Sequence, residues 1–128
     1  MAEKNPKRTE TFDIAVHIIG LGGHSSTPFK THNPVIAGFE LIHAVTQRLW
    51  YEFDAFDNVA LYPVSFSAGT KSNIIPETAE LVLRAEFVTE SQARQLKSLI
   101  ETSADAVSTL YQVHYKARYS GKKTKEVA

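Results

Sequence analysis

The hydrophobic patterning of this chain predicts an α+β domain of two layers, a four-stranded antiparallel sheet with two helices on one face, in the order β-α-β-β-α-β. Three observations predict it. Three of the four strand segments alternate apolar and polar residues, and two other segments repeat their apolar residues at helical spacing. The helical segments also fall between the first and second strands and between the third and fourth, which is the ferredoxin-like split βαβ arrangement.

Residues 1–10 are polar and read as a disordered N-terminal segment, ahead of one domain over residues 11–119. In residues 11–19, Phe12, Ile14, Val16 and Ile18 face one way and Asp13, Ala15 and His17 the other, as in a half-buried strand. Residues 20–33, GLGGHSSTPFKTHN, break every pattern. Asn33 then caps a helix with Pro34 in its first turn, where a missing N–H costs nothing. Val35, Phe39, Ile42, Val45 and Leu49 form its apolar stripe as far as Tyr51. A turn at 52–57 leads to a second strand at 58–68, whose Pro63 belongs on a sheet edge or at a bulge. In the third strand, 79–88, Leu81, Leu83, Ala85 and Phe87 alternate with Glu80, Val82, Arg84 and Glu86. Thr89 or Ser91 caps the second helix, whose stripe is Ala93, Leu96, Leu99, Ile100, Val107 and Leu110. Residues 112–119 alternate again as a fourth strand, and 120–128, SGKKTKEVA, read as a basic flexible tail.

Composition excludes several classes of function. The 128 residues hold 14 Lys+Arg against 14 Asp+Glu, a balance that argues against nucleic acid or an anionic membrane as partner. With no cysteine there is no disulfide framework, thiolate metal site or cysteine nucleophile. No apolar run reaches the ~20 residues of a membrane span, and the start lacks the apolar core of a signal peptide, so the expected location is cytoplasmic.

Chemistry is expected where the two long loops meet. The first and second strands run parallel in this fold, so loops 20–33 and 69–78 leave the same end of the sheet. The first presents His24 after Gly22 and Gly23, glycines that admit positive φ; a solvated turn and a functional imidazole are both open readings of it. In the second loop Asn73 is a compact donor suited to an oxyanion, and taken alone it is an ordinary turn residue. His17, His32, His43 and His114 read as surface or partner-facing residues. No H-x-D or H-E-x-x-H spacing supports a zinc site, Ser25 and Ser26 have no nucleophile-elbow motif, and Gly20-Leu21-Gly22-Gly23 is not a phosphate loop. Asp54 and Asp57 read as a solvated turn. The residues by themselves therefore describe an α+β domain with a His/Asn site and no complete catalytic machinery.

An ordered set of motifs does resemble one family. Residues 22–28 (GGHSSTP), Asn33-Pro34 opening a helix, Ala68-Gly69-Thr70, and Asn73-Ile74-Ile75-Pro76 followed by Glu80-Leu81 are similar to the dimerisation, or lid, domain of the zinc-dependent aminoacylase/carboxypeptidase G/hippurate hydrolase metallopeptidases. The turn at 54–57 fits the N-acyl-amino-acid amidohydrolase branch, and the likeness covers about residues 11–119.

That resemblance implies a hydrolase whose catalytic domain, missing from this chain, binds two zinc ions. The chain itself would hold no cofactor and would be inert alone. His24 would reach across a homodimer to stabilise an oxyanion in the partner's active site, and Asn73 would hold substrate, with Gly69 and Thr70 shaping its loop. The homodimer would form through the edge of strand two and the first helix. The implied substrate is a small-molecule amide, an N-acyl amino acid or a peptide. Where several members carry an arginine to clamp a substrate carboxylate, this sequence has Glu86, with Arg84 on the same strand face, which removes the expected clamp. Outside the resemblance, the competing expectation is a free-standing ferredoxin-like module for small-ligand binding or oligomerisation.

Overall fold

The computed structural model describes residues 7–127. Strand β1 spans Lys7–Ile19, β2 Gly23–His24, β3 Ala60–Ser67, β4 Ile74–Ile75, β5 Thr78–Phe87 and β6 His114–Val127; helices α1 and α2 span Pro34–Glu52 and Glu90–Tyr111. The four long strands form one antiparallel sheet in the order β3-β5-β1-β6, as the patterning predicts, while β2 and β4 pair with each other outside it.

Alternation in β1 and β5 turns Phe12, Ile14, Val16, Leu81, Leu83 and Phe87 into a core shared with Leu41, Val45, Leu96, Leu99 and Ile100 of the helices. Asp13, His17, Glu80 and Arg84 are left on the uncovered sheet face, at half-buried positions. Both helices start on side-chain caps. Asn33 Oδ1 accepts from Val35 N at 2.9 Å, and Thr89 and Gln92 form a reciprocal capping box. The Arg48 guanidinium ties the helices together, donating to the Leu99 carbonyl at 3.1 Å and to Ser103 Oγ at 2.9 Å. On the far side of α2, the hydroxyls of Tyr115 and Tyr119 donate to Asp105 and Glu101.

Several sequence expectations shift. Strand β1 begins at Lys7 and β6 runs on to Val127, so residues 7–10 and 120–127, expected as disordered ends, pair with each other from Glu10↔Thr124 out to Lys7↔Val127. Polar residues extend a ladder where each segment supplies the other's hydrogen bonds. Residues 1–6 and 128 lie outside the described part, and that much of the expected N-terminal segment and tail with them. In α1 the buried face is Pro34, Ala37, Gly38, Leu41 and Val45, rotated away from Phe39, which is 59% exposed. The rotation has a steric cause: the Phe66 ring of β3 occupies the place of a Cβ on Gly38, 2.3 Å from its Cζ. Leu110, expected in the stripe of α2, is likewise exposed. Pro63 satisfies both of its sequence readings, on the edge strand β3 and at a register shift between Pro63 and Ser65. Among the described residues no helix is long and apolar enough to cross a membrane.

Candidate functional site

The two long loops meet at one end of the sheet and are joined by backbone pairing. Gly23 faces Ile75 and His24 faces Ile74 across the β2–β4 ladder. Ser25 N donates to the Asn73 carbonyl at 3.1 Å, and Gly20 N to the Glu77 carbonyl at 2.8 Å. Within the first loop, Leu21 and His32 exchange two 2.9 Å bonds, which folds residues 22–31 back as a compact projection.

Close approach, rather than positive φ, explains the glycines before His24. Neither Gly22 nor Gly23 has positive φ among the described residues, whereas Gly69 does, at 71°. A Cβ on Gly22 would lie 2.4 Å from the Ile75 carbonyl oxygen, and one on Gly20 2.1 Å from that of His32. Glycine is what lets the two backbones touch.

His24 is exposed at the tip of this ladder. Ser26 N donates to its Nδ1 at 3.0 Å. A nitrogen that accepts a hydrogen bond carries no proton, so the network assigns the hydrogen of the neutral ring to Nε2, which becomes a donor. Asn73 is exposed in the turn just before the facing strand β4, with its backbone fixed by Ser25. Gly69 and Thr70 lie at the exposed start of that loop, where Gly69 bends around the Pro76 ring. The structure thus brings together the backbones that carry an imidazole and a carboxamide, groups suited to a carbonyl oxygen or an oxyanion.

Arg84 is engaged elsewhere. Its Nε and Nη2 fork onto both Asp13 oxygens at 2.7 and 2.9 Å, and that bonding, with the carboxylate's charge, raises the Arg84 pKa. Tyr62 donates its hydroxyl to Glu86 at 3.0 Å. Neither residue is on the loop ladder. His17 comes within 4.0 Å of Glu80, but the described residues include no group of three His, Asp or Glu placed to hold a metal ion. His43 and His114 are exposed on α1 and β6.

One feature the sequence reading passed over is the absence of charge along one side of the domain. Strand β3, ALYPVSFS, contains no charged residue, and the exposed positions of α1 beside it include Ile36, Phe39, His43, Thr46, Gln47 and Trp50. A count of charges on that helix face would have found it. The ring of Phe39 packs edge-on against Phe66 of β3 at 5.3 Å, so the bare helix face and the bare sheet edge are continuous.

Comparison with known proteins matches this arrangement. A family model described as the peptidase dimerisation domain matches residues 11–111. N-acetyldiaminopimelate deacetylase of Brevibacillus brevis is 31% identical over 99 residues, which are 76% of this chain and 26% of that protein. Succinyl-diaminopimelate desuccinylase of Paracoccus denitrificans is 31% identical over 107 residues, 82% of this chain and 28% of that protein. Among solved structures, the aminobenzoyl-glutamate utilization protein from Klebsiella pneumoniae superposes with a TM-score of 0.80 at 17% identity, over 94% of this chain and 30% of that one, a likeness of fold. The chain therefore spans about a quarter of the length of the curated relatives it matches.

Proposed function

This chain belongs to the peptidase dimerisation domain family, and from that premise we propose that it is the dimerisation and lid domain of a zinc-dependent amidohydrolase. In this proposal a second copy pairs along β3 and α1, and His24 and Asn73 enter the active site of the partner subunit. The observation that supports it is the β2–β4 ladder, which sets the backbone of His24, with its Nε2–H donor, beside that of Asn73 at one exposed end of the domain. The uncharged edge supports the dimer, because a bare β edge beside an apolar helix face is a surface that pairs.

The described residues do not fit two zinc ions, since no three ligating side chains converge. The metals belong, in this proposal, to residues of a longer enzyme, and the chain alone is inert. What it contributes is stabilisation of charge. As negative charge develops on the amide oxygen, the Nε2–H of His24 donates to it, a contact whose loss costs roughly 3–4 kcal/mol in barrier. Asn73 holds the substrate's carbonyl or carboxylate, on a loop shaped by Gly69 and Thr70. The names of the two diaminopimelate enzymes favour an N-acyl amino acid as the small-molecule substrate.

The test is His24→Ala in the full-length enzyme. Turnover is expected to fall by about 10²–10³-fold with bound metal unchanged. Full turnover in that variant would sink the proposal.

A further inference from the structure

The last helical turn of α1 and the turn that follows it display apolar side chains with no cover. Trp50 is 79% exposed and Phe56 96%. The turn is stiff, because its two aspartates close it: Phe56 N donates to Asp54 Oδ1 at 2.9 Å, Asp54 N to Asp57 Oδ2 at 3.1 Å, and Asp57 N to the Asp54 carbonyl at 2.9 Å. One aromatic ring on a hydrogen-bonded acidic turn, Phe56, and another on the helix end that leads into it, Trp50, form a surface for a partner.

The register of the sheet identifies that partner's matching surface. Ala60, at the turn end of β3, is level with Glu86, which is level with Thr11. Ser67, at the loop end, is level with Glu80, which is level with His17 near the end of β1. The turn and the His24 loops therefore mark opposite ends of one edge. A two-fold pairing that covers the bare face of α1 as well as the β3 edge must keep both helix layers on the same side of a continuous sheet. Only an axis perpendicular to the sheet does so, and it makes the two β3 strands antiparallel.

Antiparallel pairing reverses one copy end for end, which sets the turn of each protomer against the loop of the other. The surfaces complement each other. The turn offers Asp54 and Asp57, and the loop offers Lys71, whose ammonium has no carboxylate partner among the described residues. Beside Lys71 lies Ile74, 47% exposed, an apolar surface to receive Phe56. Along α1, Trp50 and Ile36 lie equally far in sequence from His43, so helices crossing at His43 bring Trp50 onto the partner's Ile36.

We infer that the turn at residues 50–57 of one protomer seats on the loop at residues 69–74 of a second copy of this chain, with Asp54 and Asp57 facing the partner's Lys71. The inference rests on the proposed dimer and goes beyond it, because it makes the aromatic turn of one copy a wall beside the Asn73 of the other. The composite site then draws on two ends of two lids.

The chain has no cysteine, which makes the test clean. Ala55→Cys protein is mixed in equal amount with Ser72→Cys protein and treated with a short bismaleimide; both positions are exposed. Mixed cross-linked dimers joining the turn of one chain to the loop of another are expected to dominate. Dimers linked through Ala55→Cys on both chains, or through Ser72→Cys on both, overturn the inference. Sedimentation equilibrium of the unaltered chain separates the two levels: a monomer overturns the dimer and this contact with it, whereas a dimer that yields no turn-to-loop link overturns the contact alone.

Discussion

Substituting Gly22 by alanine separates the two loops while leaving the sheet alone. The new Cβ would sit 2.4 Å from the Ile75 carbonyl oxygen and 3.0 Å from Glu77 N. A carbon–oxygen contact needs about 3.3 Å, so the two backbones must part by about 1 Å. Both obstructing atoms are main chain, and no rotamer change relieves them. Moving by that amount stretches the Ser25–Asn73 bond, now 3.1 Å, past the length at which a hydrogen bond survives. The β2–β4 ladder is lost with it. Because the loops are exposed, water takes up the freed groups, and the cost in global stability is only about 1–2 kcal/mol. Function suffers more, since a misplacement of about 1 Å in a positioned group costs on the order of 100-fold in rate. The assay has two parts: amide exchange at Ser25 in the isolated chain, and kcat of the full-length enzyme carrying Gly22→Ala. Faster exchange at Ser25 with a modest drop in the urea midpoint and a large drop in kcat is expected. Ser25 protected as before, together with full turnover, refutes the view that glycine at this position sets the loops in contact.

Other perturbations follow from single features. Burial first, then the hydrogen bond to Asp105, pushes the Tyr115 pKa up to about 12, and burial with the Glu101 bond raises that of Tyr119 further. These tyrosines are neutral donors in the fold, so their contribution to stability is complete below the unfolded pKa of about 10 and is lost as pH rises through the folded values. A spectroscopic titration should show a late tyrosinate step from these two residues that Tyr119→Phe reduces; ionisation of all 5 tyrosines together near pH 10 contradicts it. Gln112 ends α2 in the left-handed region, at φ 59°, where a glycine carries no Cβ strain. Gln112→Gly should therefore raise stability by about 1 kcal/mol, read as an upward shift of the urea midpoint by about 0.5 M. A lower midpoint would show that the Gln112 side chain contributes more than its backbone strain costs.

The order and kind of the main elements were legible in the chain, because each rests on a local signal. Alternation in residues 12–18 and 80–87 survives in the structure as buried and half-buried faces, and Asn33-Pro34 and Thr89 cap their helices as their chemistry requires. Pro63 marked the edge strand correctly because a missing N–H is a property of the residue and not of its surroundings. His24 and Asn73 could be brought to one end of the sheet by topology alone, since loop ends follow from strand order. Tertiary structure decided what depends on distance between remote segments. The face of α1 that is buried was set by the Phe66 ring against Gly38, a contact between a helix and a strand that no periodicity within the helix contains. The ends of β1 and β6 became strand because each found the other, although neither is apolar. Gly22 serves close approach and not positive φ for the same reason: the atom that excludes a side chain there is the carbonyl of Ile75, far away in sequence. Local patterning sets what each segment is able to form, and only packing settles which atoms it must accommodate.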